Sequence, residues 1–349
     1  MMKIMHIYKN EMNKPRVLEL FAGCGGLALG LENAGFYTIG LNEIDKDACA
    51  TLQNNRPTWN VINEDVATWV DKDIENELGI KKYELELLSG GFPCQTFSYA
   101  GNRSGFDDIR GTMFSYYAVA LQKLMPKMFL AENVRGLLSH DQGRTLHTIL
   151  ETFKEVGYTV VHKVLNAWDY NTPQKRERIF IIGIRNDLVS EISFEFPEKN
   201  SYKPVLKDVL LDVPQSDGEK YSEKKKRVME LVPPGGCWID LPDDIAREYM
   251  KTTYFMGGGR RGIARRLSLD EPSLTLTTSP AMKQTERCHP IETRPLNIRE
   301  YARIQTFPDN WIFTGKITSQ YKQIGNAVPV NLATEVGKKI IEALGANKL

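Results

Sequence analysis

Residues 17–30 read VLELFAGCGGLALG: an apolar, strand-like run stops on closely spaced glycines and reopens as a helix-like run. A glycine-rich turn in that position lets backbone approach a ligand closely and aims the first amides of the helix at it. A tight turn with no ligand is the plain alternative. No Lys-Ser or Lys-Thr follows, which argues against a phosphate loop, and the spacing departs from the dinucleotide fingerprint GxGxxG. Outward from the turn the rhythm repeats, with YTIGLNEI before DKDACATLQNN, NVINED before ATWVDKDIENEL, and a helical stretch near 113–125 before KMFLAENV. Strand and helix in regular alternation argue a parallel sheet with crossover helices, so the fold class is α/β.

The rhythm breaks at about residue 190. PPGG at 233–236, GGGRRGIARR at 257–266 and LTLTTSP at 274–280 mark a region dominated by prolines, glycines and charges. A chain of 349 residues has room for about two domains. The expected division is a first domain over 1–190, a smaller loop-rich domain over 191–296, and a segment over 297–349 that returns to the first. One enlarged domain is the alternative. With 45 Lys and Arg against 44 Asp and Glu the net charge is +1, so a polyanion must be met by a local basic patch and not by bulk charge.

The five cysteines (Cys24, Cys49, Cys94, Cys237 and Cys288) are scattered without CxxC spacing, which fits free thiols in a reducing compartment. The first residues hold no apolar core of signal-peptide length, and runs such as IFII at 179–182 are too short to cross a bilayer. A soluble cytoplasmic protein with no membrane contact is expected. No metal site is expected either: Cys288-His289 is an isolated pair, and DKDIENELG at 71–79 lacks the glycine and terminal glutamate of a calcium loop.

Two strand-like runs after the turn end in acids, Glu43 in LNEID and Asp65 in NEDVA. On a doubly wound sheet those ends share a rim with Gly23, Gly25 and Gly26. A carboxylate there can accept hydrogen bonds from ribose hydroxyls, and one further along can meet an adenine amino group. Each acid alone also reads as a helix N-cap or a solvated charge. Together with the glycine turn they point to an adenosine ligand. S-adenosyl-L-methionine is the expected cofactor and NAD its competitor.

GFPCQ at 91–95, ENV at 132–134, QKRER at 174–178, REYARIQTFPD at 299–309 and QIGNAVP at 323–329 together resemble the cytosine-5 DNA methyltransferase family. FxGxGG at 21–26 is likewise similar to the first motif of the methyltransferase fold. The resemblance runs along nearly the whole chain in order and omits the region 190–295. It implies a Rossmann-like methyltransferase fold with a mostly parallel sheet, plus a smaller DNA-recognition domain. It also implies that Cys94 adds as a thiolate to C6 of a cytosine, which makes C5 nucleophilic toward a sulfonium methyl. Glu132 would bind or protonate N3 and hold the exocyclic amine. Arg178 would hold the O2 side and Arg176 would orient the loop and thiolate, both lowering the thiol pKa. Asn326, with Ala327 beside it, would meet the methionine part of the cofactor, and Phe21 the sulfonium or adenine. Ile44 stands where the family often has an aromatic, next to Glu43, as Val66 stands next to Asp65.

A base inside a duplex cannot present C6 to a thiolate, so the target must be flipped out. Arg260, Arg261, Arg265 and Arg266 crowd among glycines, where they could pair with guanine edges or meet phosphates. This stretch and the following LTLTTSP, with Thr275, resemble the recognition loops of the family. A solvated basic turn is the bland alternative. Residues 96–112 read as a lid.

Double-stranded DNA is therefore the expected partner, for a bacterial restriction-modification enzyme acting as a monomer, with a restriction endonuclease as functional counterpart. Three rivals stand against it. An amino-group methyltransferase needs Pro-Pro after Asp, Asn or Ser, and the one Pro-Pro here is in VPPG. A tRNA cytosine methyltransferase shares the catalytic motifs but carries a Cys-Phe-Thr signature absent here. A non-catalytic DNA-binding regulator would lack Cys94 or Glu132.

Overall fold

The computed structural model describes residues 14–93, 111–256 and 261–345. Cys94, Arg260 and nearly all of the expected lid lie outside the described residues. Among the described residues nine strands follow in chain order: β1 (Arg16–Leu20), β2 (Tyr37–Asn42), β3 (Val61–Ile62), β4 (Leu87–Gly90), β5 (Met128–Val134), β6 (Tyr158–Asn166), β7 (Gln174–Lys175), β8 (Glu177–Arg185) and β9 (Ser273–Leu274). The chain divides into two compact units. One comprises Met1–Asn166, Glu177–Lys199 and Val330–Leu349; the other comprises Ala167–Arg176 and Asn200–Pro329.

The first unit is built on a seven-stranded sheet of order β3-β2-β1-β4-β5-β8-β6. The pairs β1/β2, β2/β3, β1/β4 and β4/β5 are parallel, while β8 runs antiparallel to both β5 and β6. The mostly parallel α/β architecture is thus as expected. Its order reverses between β1 and β4, and the carboxyl ends on either side of such a reversal flank a crevice where ligands bind. Strands in the middle read as unbroken apolar runs because both faces are covered: all seven residues from Ile179 to Arg185 are buried. The edge strand β6 instead exposes His162 and Lys163, charge-bearing residues that discourage further strand pairing.

Helix Gly26–Ala34 follows β1 and is closed by Gly35 in the left-handed region, whose N–H reaches the carbonyls of Leu31 and Glu32. The closing helix Val330–Ala343 packs on it at close quarters. A Cβ on Gly30 would sit 2.3 Å from that of Ala333, which is why the C-terminal helix belongs to this unit.

The second unit holds the short parallel pair β7/β9 and an apolar cluster that includes Val228, Met229, Leu241, Met250, Ile263 and Cys288. It also takes residues 297–329, which the sequence division assigned to the returning segment. Side-chain hydrogen bonds explain the difference. Tyr321 Oη donates to Leu296 O (2.6 Å) and Tyr301 Oη to Thr277 O (3.2 Å), and Arg303 binds Asp212 (2.7 Å). Helix Ile298–Ile304 begins with a reciprocal cap between Asn297 and Glu300. No helix among the described residues is long and apolar enough to cross a membrane.

Candidate active site

In the first unit, β1 ends at Leu20 and the chain turns at once. Phe21 has φ 58°, a left-handed value that costs a non-glycine residue energy, and Gly23 (φ 56°) and Gly25 (φ 88°) continue the turn. Gly26 then opens the helix, and no side chain caps its first turn. Glu43, at the end of β2, braces this loop. Its Oε2 accepts from Gly23 N at 2.7 Å and its Oε1 from Asp45 N at 2.8 Å. Asn63 Nδ2 donates to the carbonyls of Glu43 (3.0 Å) and Ile44 (3.1 Å), tying this rim to the segment after β3. Ile44 is 62% exposed on that rim, an apolar surface large enough for an aromatic ring to lie on. Asp65 accepts from Ala67 N at 2.9 Å as the N-cap of helix Val66–Trp69, with Val66 buried beneath.

Glu19 is a residue that sequence reasoning missed. It lies on β1 and is 2% exposed, with Oε2 3.5 Å from Ser89 Oγ on β4. Burial pushes its pKa well above the ordinary 4.5, and the carboxylates of Glu43 and Glu132 push the same way. The signal was there: an acid in the middle of the apolar run VLEL has to be neutral or paired.

A second corner of the first unit is assembled from β4, β5 and β8. Phe92 is buried in an aromatic cluster, with ring centroids 5.3 Å from Phe114 and 5.9 Å from Tyr117. Asn133 Nδ2 donates to Phe92 O at 2.9 Å. The aromatic anchor and this hydrogen bond hold the backbone one peptide short of Pro93, the residue that precedes the expected nucleophile. Glu132 faces Phe180 across the β5/β8 ladder, and Arg178 reaches back so that its Nε lies 2.9 Å from Glu132 Oε1. Both side chains are nearly buried, which makes removal of either partner costly. A Cβ on Gly91 would lie 2.7 Å from Glu132 Oε2, so a side chain there would displace the carboxylate from its present place. A carboxyl acceptor and a guanidinium donor therefore stand together beside Gly91, and such a pair can bind the polar edge of a pyrimidine ring.

In the second unit the expected residues meet varied surroundings. Arg176 is 1% exposed and donates to the carbonyls of Leu276 (3.1 Å) and Asn326 (3.3 Å). Asn326 ends helix Ile317–Asn326 with its side chain exposed, and Ala327 is half-buried. Arg266, expected from the sequence to face DNA, lies inside the second unit. It is 4% exposed, and its terminal nitrogens are spent on Met229 O (2.6 Å), Thr293 Oγ1 (2.9 Å) and the carbonyls of His289 and Glu292 (both 3.4 Å). Arg265 leans on Glu271 (3.4 Å), and Thr275 gives its hydroxyl to Lys175 O (2.8 Å). Arg261 is exposed. Gln174 and Gln305, buried here and bonded to each other, are further residues that pattern reading passed over.

A family model described as C-5 cytosine-specific DNA methylase matches residues 15–342. The Type II methyltransferase M.Sau96I of Staphylococcus aureus is 59% identical over 333 residues, 94% of this chain and 76% of that protein. M.Eco47II of Escherichia coli is 54% identical over 344 residues, 96% and 81% of the two chains. Among solved structures, a Spodoptera frugiperda DNMT2 variant superposes with a TM-score of 0.67 at 16% identity, covering 94% of this chain and 99% of its own.

Proposed function

The chain belongs to the C-5 cytosine-specific DNA methylase family and is a DNA cytosine-5 methyltransferase, and on that premise we propose which residues perform the reaction. Cys94 attacks C6 of a flipped cytosine in a specific double-stranded site. Glu132 binds N3 and the exocyclic amine, sharing a proton with N3 as the thiolate adds, and Arg178 both fixes that carboxyl and faces O2. Electron density released into the ring makes C5 the nucleophile. After transfer, a water takes the C5 proton, and elimination restores the C5=C6 bond and frees Cys94.

S-adenosyl-L-methionine, when bound, would supply an electrophilic sulfonium methyl, with S-adenosylhomocysteine as the departing thioether. The first unit's rim fits it. The uncapped helix start after Gly25 offers amide donors, Glu43 keeps spare lone pairs for ribose hydroxyls, and exposed Ile44 offers an apolar face for adenine. Asn326 and Ala327 would serve the methionine end. Arg261 and neighbouring backbone would meet DNA. Arg176 acts on the backbone that carries these groups. The enzyme is read as a cytoplasmic, bacterial-type monomer, functionally paired with a restriction endonuclease. Type II methyltransferases are its relatives at 59% and 54% identity, and that favours modification of DNA over the tRNA and regulator readings.

One observation carries the assignment: the Glu132–Arg178 pair, 2.9 Å apart and nearly buried, set over Gly91 in the segment leading to Cys94. A duplex containing 5-fluorocytosine at the target cannot lose its C5 substituent as a proton, so the covalent adduct should persist. Mass spectrometry is expected to place it on Cys94, and Cys94→Ala should form none while still binding S-adenosylhomocysteine. Absence of any adduct on Cys94 would overturn the mechanism.

A further inference from the structure

Two buried amides in the second unit form a relay that the chemistry above does not use. Gln174 and Gln305 lie 131 positions apart in the chain and are both fully buried. Gln305 Nε2 donates to the carbonyls of Ile324 (2.7 Å) and Ala327 (3.1 Å). That settles the orientation of the amide, because its oxygen cannot face two carbonyls. The oxygen accepts from Gln174 Nε2 at 2.8 Å, and Gln174 Oε1 in turn accepts from Leu276 N at 2.9 Å. Each link dictates the next, so neither amide can flip alone.

Two other contacts join the same segments. Arg176 spans the carbonyls of Leu276 and Asn326. At Gly325 an added Cβ would lie 2.1 Å from Thr277 O, so the turn and the stretch touch through bare backbone. The stretch Leu274–Thr277 and the turn Ile324–Ala327 are thus fastened side by side by an amide relay, a guanidinium and a close backbone approach.

We propose that Gln305, acting through Gln174, is a positioning residue that holds the 274–277 stretch and the 324–327 turn as one piece, linking DNA discrimination to cofactor affinity. This rests on the functional reading in which the first segment serves DNA recognition and the second the cofactor. Linkage requires reciprocity: a cognate duplex tightens S-adenosylhomocysteine binding by the same factor by which S-adenosylhomocysteine tightens the duplex. An apolar side chain of similar length at either position keeps the volume and removes the relay.

The test measures equilibrium binding of S-adenosylhomocysteine by calorimetry, with and without duplex. Cognate and single-mismatch duplexes are taken from the site found by bisulfite sequencing after expression in a methylation-free host. Wild type is compared with Gln174→Met, Gln305→Met and the double variant. Each single variant is expected to bring the linkage factor close to one and to lower the cognate-to-mismatch ratio about tenfold, as loss of a buried polar network does. The double variant should be no worse than either single, because a relay broken once has nothing further to lose.

Unchanged linkage and discrimination, with only a lower unfolding midpoint that adds in the double variant, would overturn the proposal in favour of a purely stabilising role. Should Gln305→Met fail to fold, Gln174→Met decides alone, since it leaves the bonds from Gln305 to Ile324 and Ala327 in place. A wild-type protein that binds both probes selectively but without linkage sinks this inference only. A wild-type protein that binds neither sinks the functional reading and the inference with it.

Discussion

Arg176 and Arg178 stand two residues apart in QKRER, yet their surroundings differ in kind. Arg178, in the first unit, faces the Glu132 carboxylate at 2.9 Å; Arg176, in the second, faces the neutral carbonyls of Leu276 and Asn326. In the first corner two buried charges neutralise one another, so each needs the other. In the second the guanidinium donates to backbone carbonyls of two separate segments, and what those bonds hold is chain direction. One sequence motif therefore enters two environments, and the two predict different failures.

The largest expected effect is at the charged corner. Glu132→Gln should lower kcat by about 10²–10⁴-fold, the usual worth of a positioned acid-base group, with KM for DNA changed far less. Single-turnover kinetics on a matched duplex would measure it. A variant within about threefold of wild type would remove Glu132 from the chemistry.

Next in size is the stability contrast. Arg178→Met strands a buried carboxylate and should cost about 3–5 kcal/mol in urea unfolding. Arg176→Met strands the carbonyls of Leu276 and Asn326 and should cost about 1–3 kcal/mol. Equal losses would erase the distinction between the corners.

A pH experiment sharpens the picture of the first unit. Glu19 ionises near the ordinary 4.5 when unfolded but stays protonated well above that in the fold. Its contribution is therefore complete below about pH 4.5 and falls as pH rises toward the folded value. Relative to Glu19→Gln, wild type should lose about 1.4 kcal/mol of stability per pH unit across that window. A flat difference between pH 5 and 8 would mean that Glu19 is not held neutral.

The smallest effect separates two arginines of the recognition region. Arg261→Ala should leave stability within about 0.5 kcal/mol and reduce by about one unit the slope of log affinity for DNA against log salt concentration. Arg266→Ala, which empties a buried set of acceptors, should destabilise the unit and leave that slope unchanged. The reverse pattern would restore Arg266 to the DNA surface.

Much of the first unit was legible in the chain itself. The glycine turn, the acids Glu43 and Asp65, and the strands around KMFLAENV and RIFIIGI follow from short-range patterns that the fold keeps. Phe92 and Gly91 needed coordinates to explain them, one as an aromatic anchor and the other as space for Glu132. In the second unit, burial separates residues that patterning groups together. RGIARR reads as one basic surface, but Arg266 is inside and Arg261 outside. Nothing local distinguishes them, because the acceptors of Arg266 come from residues 229 to 293.

By itself, the sequence determined the fold class, the order of the motifs and the chemical types available: a thiol, a carboxyl, guanidinium groups and a glycine-lined turn. These depend on periodicity and on neighbours a few residues away. Only the tertiary structure decided that Arg178 meets the Glu132 carboxylate, that Glu19 is buried enough for its pKa to rise, and that Gln174 bonds Gln305 across 131 positions. Burial and partner choice depend on what the rest of the chain brings alongside, and that information is nonlocal.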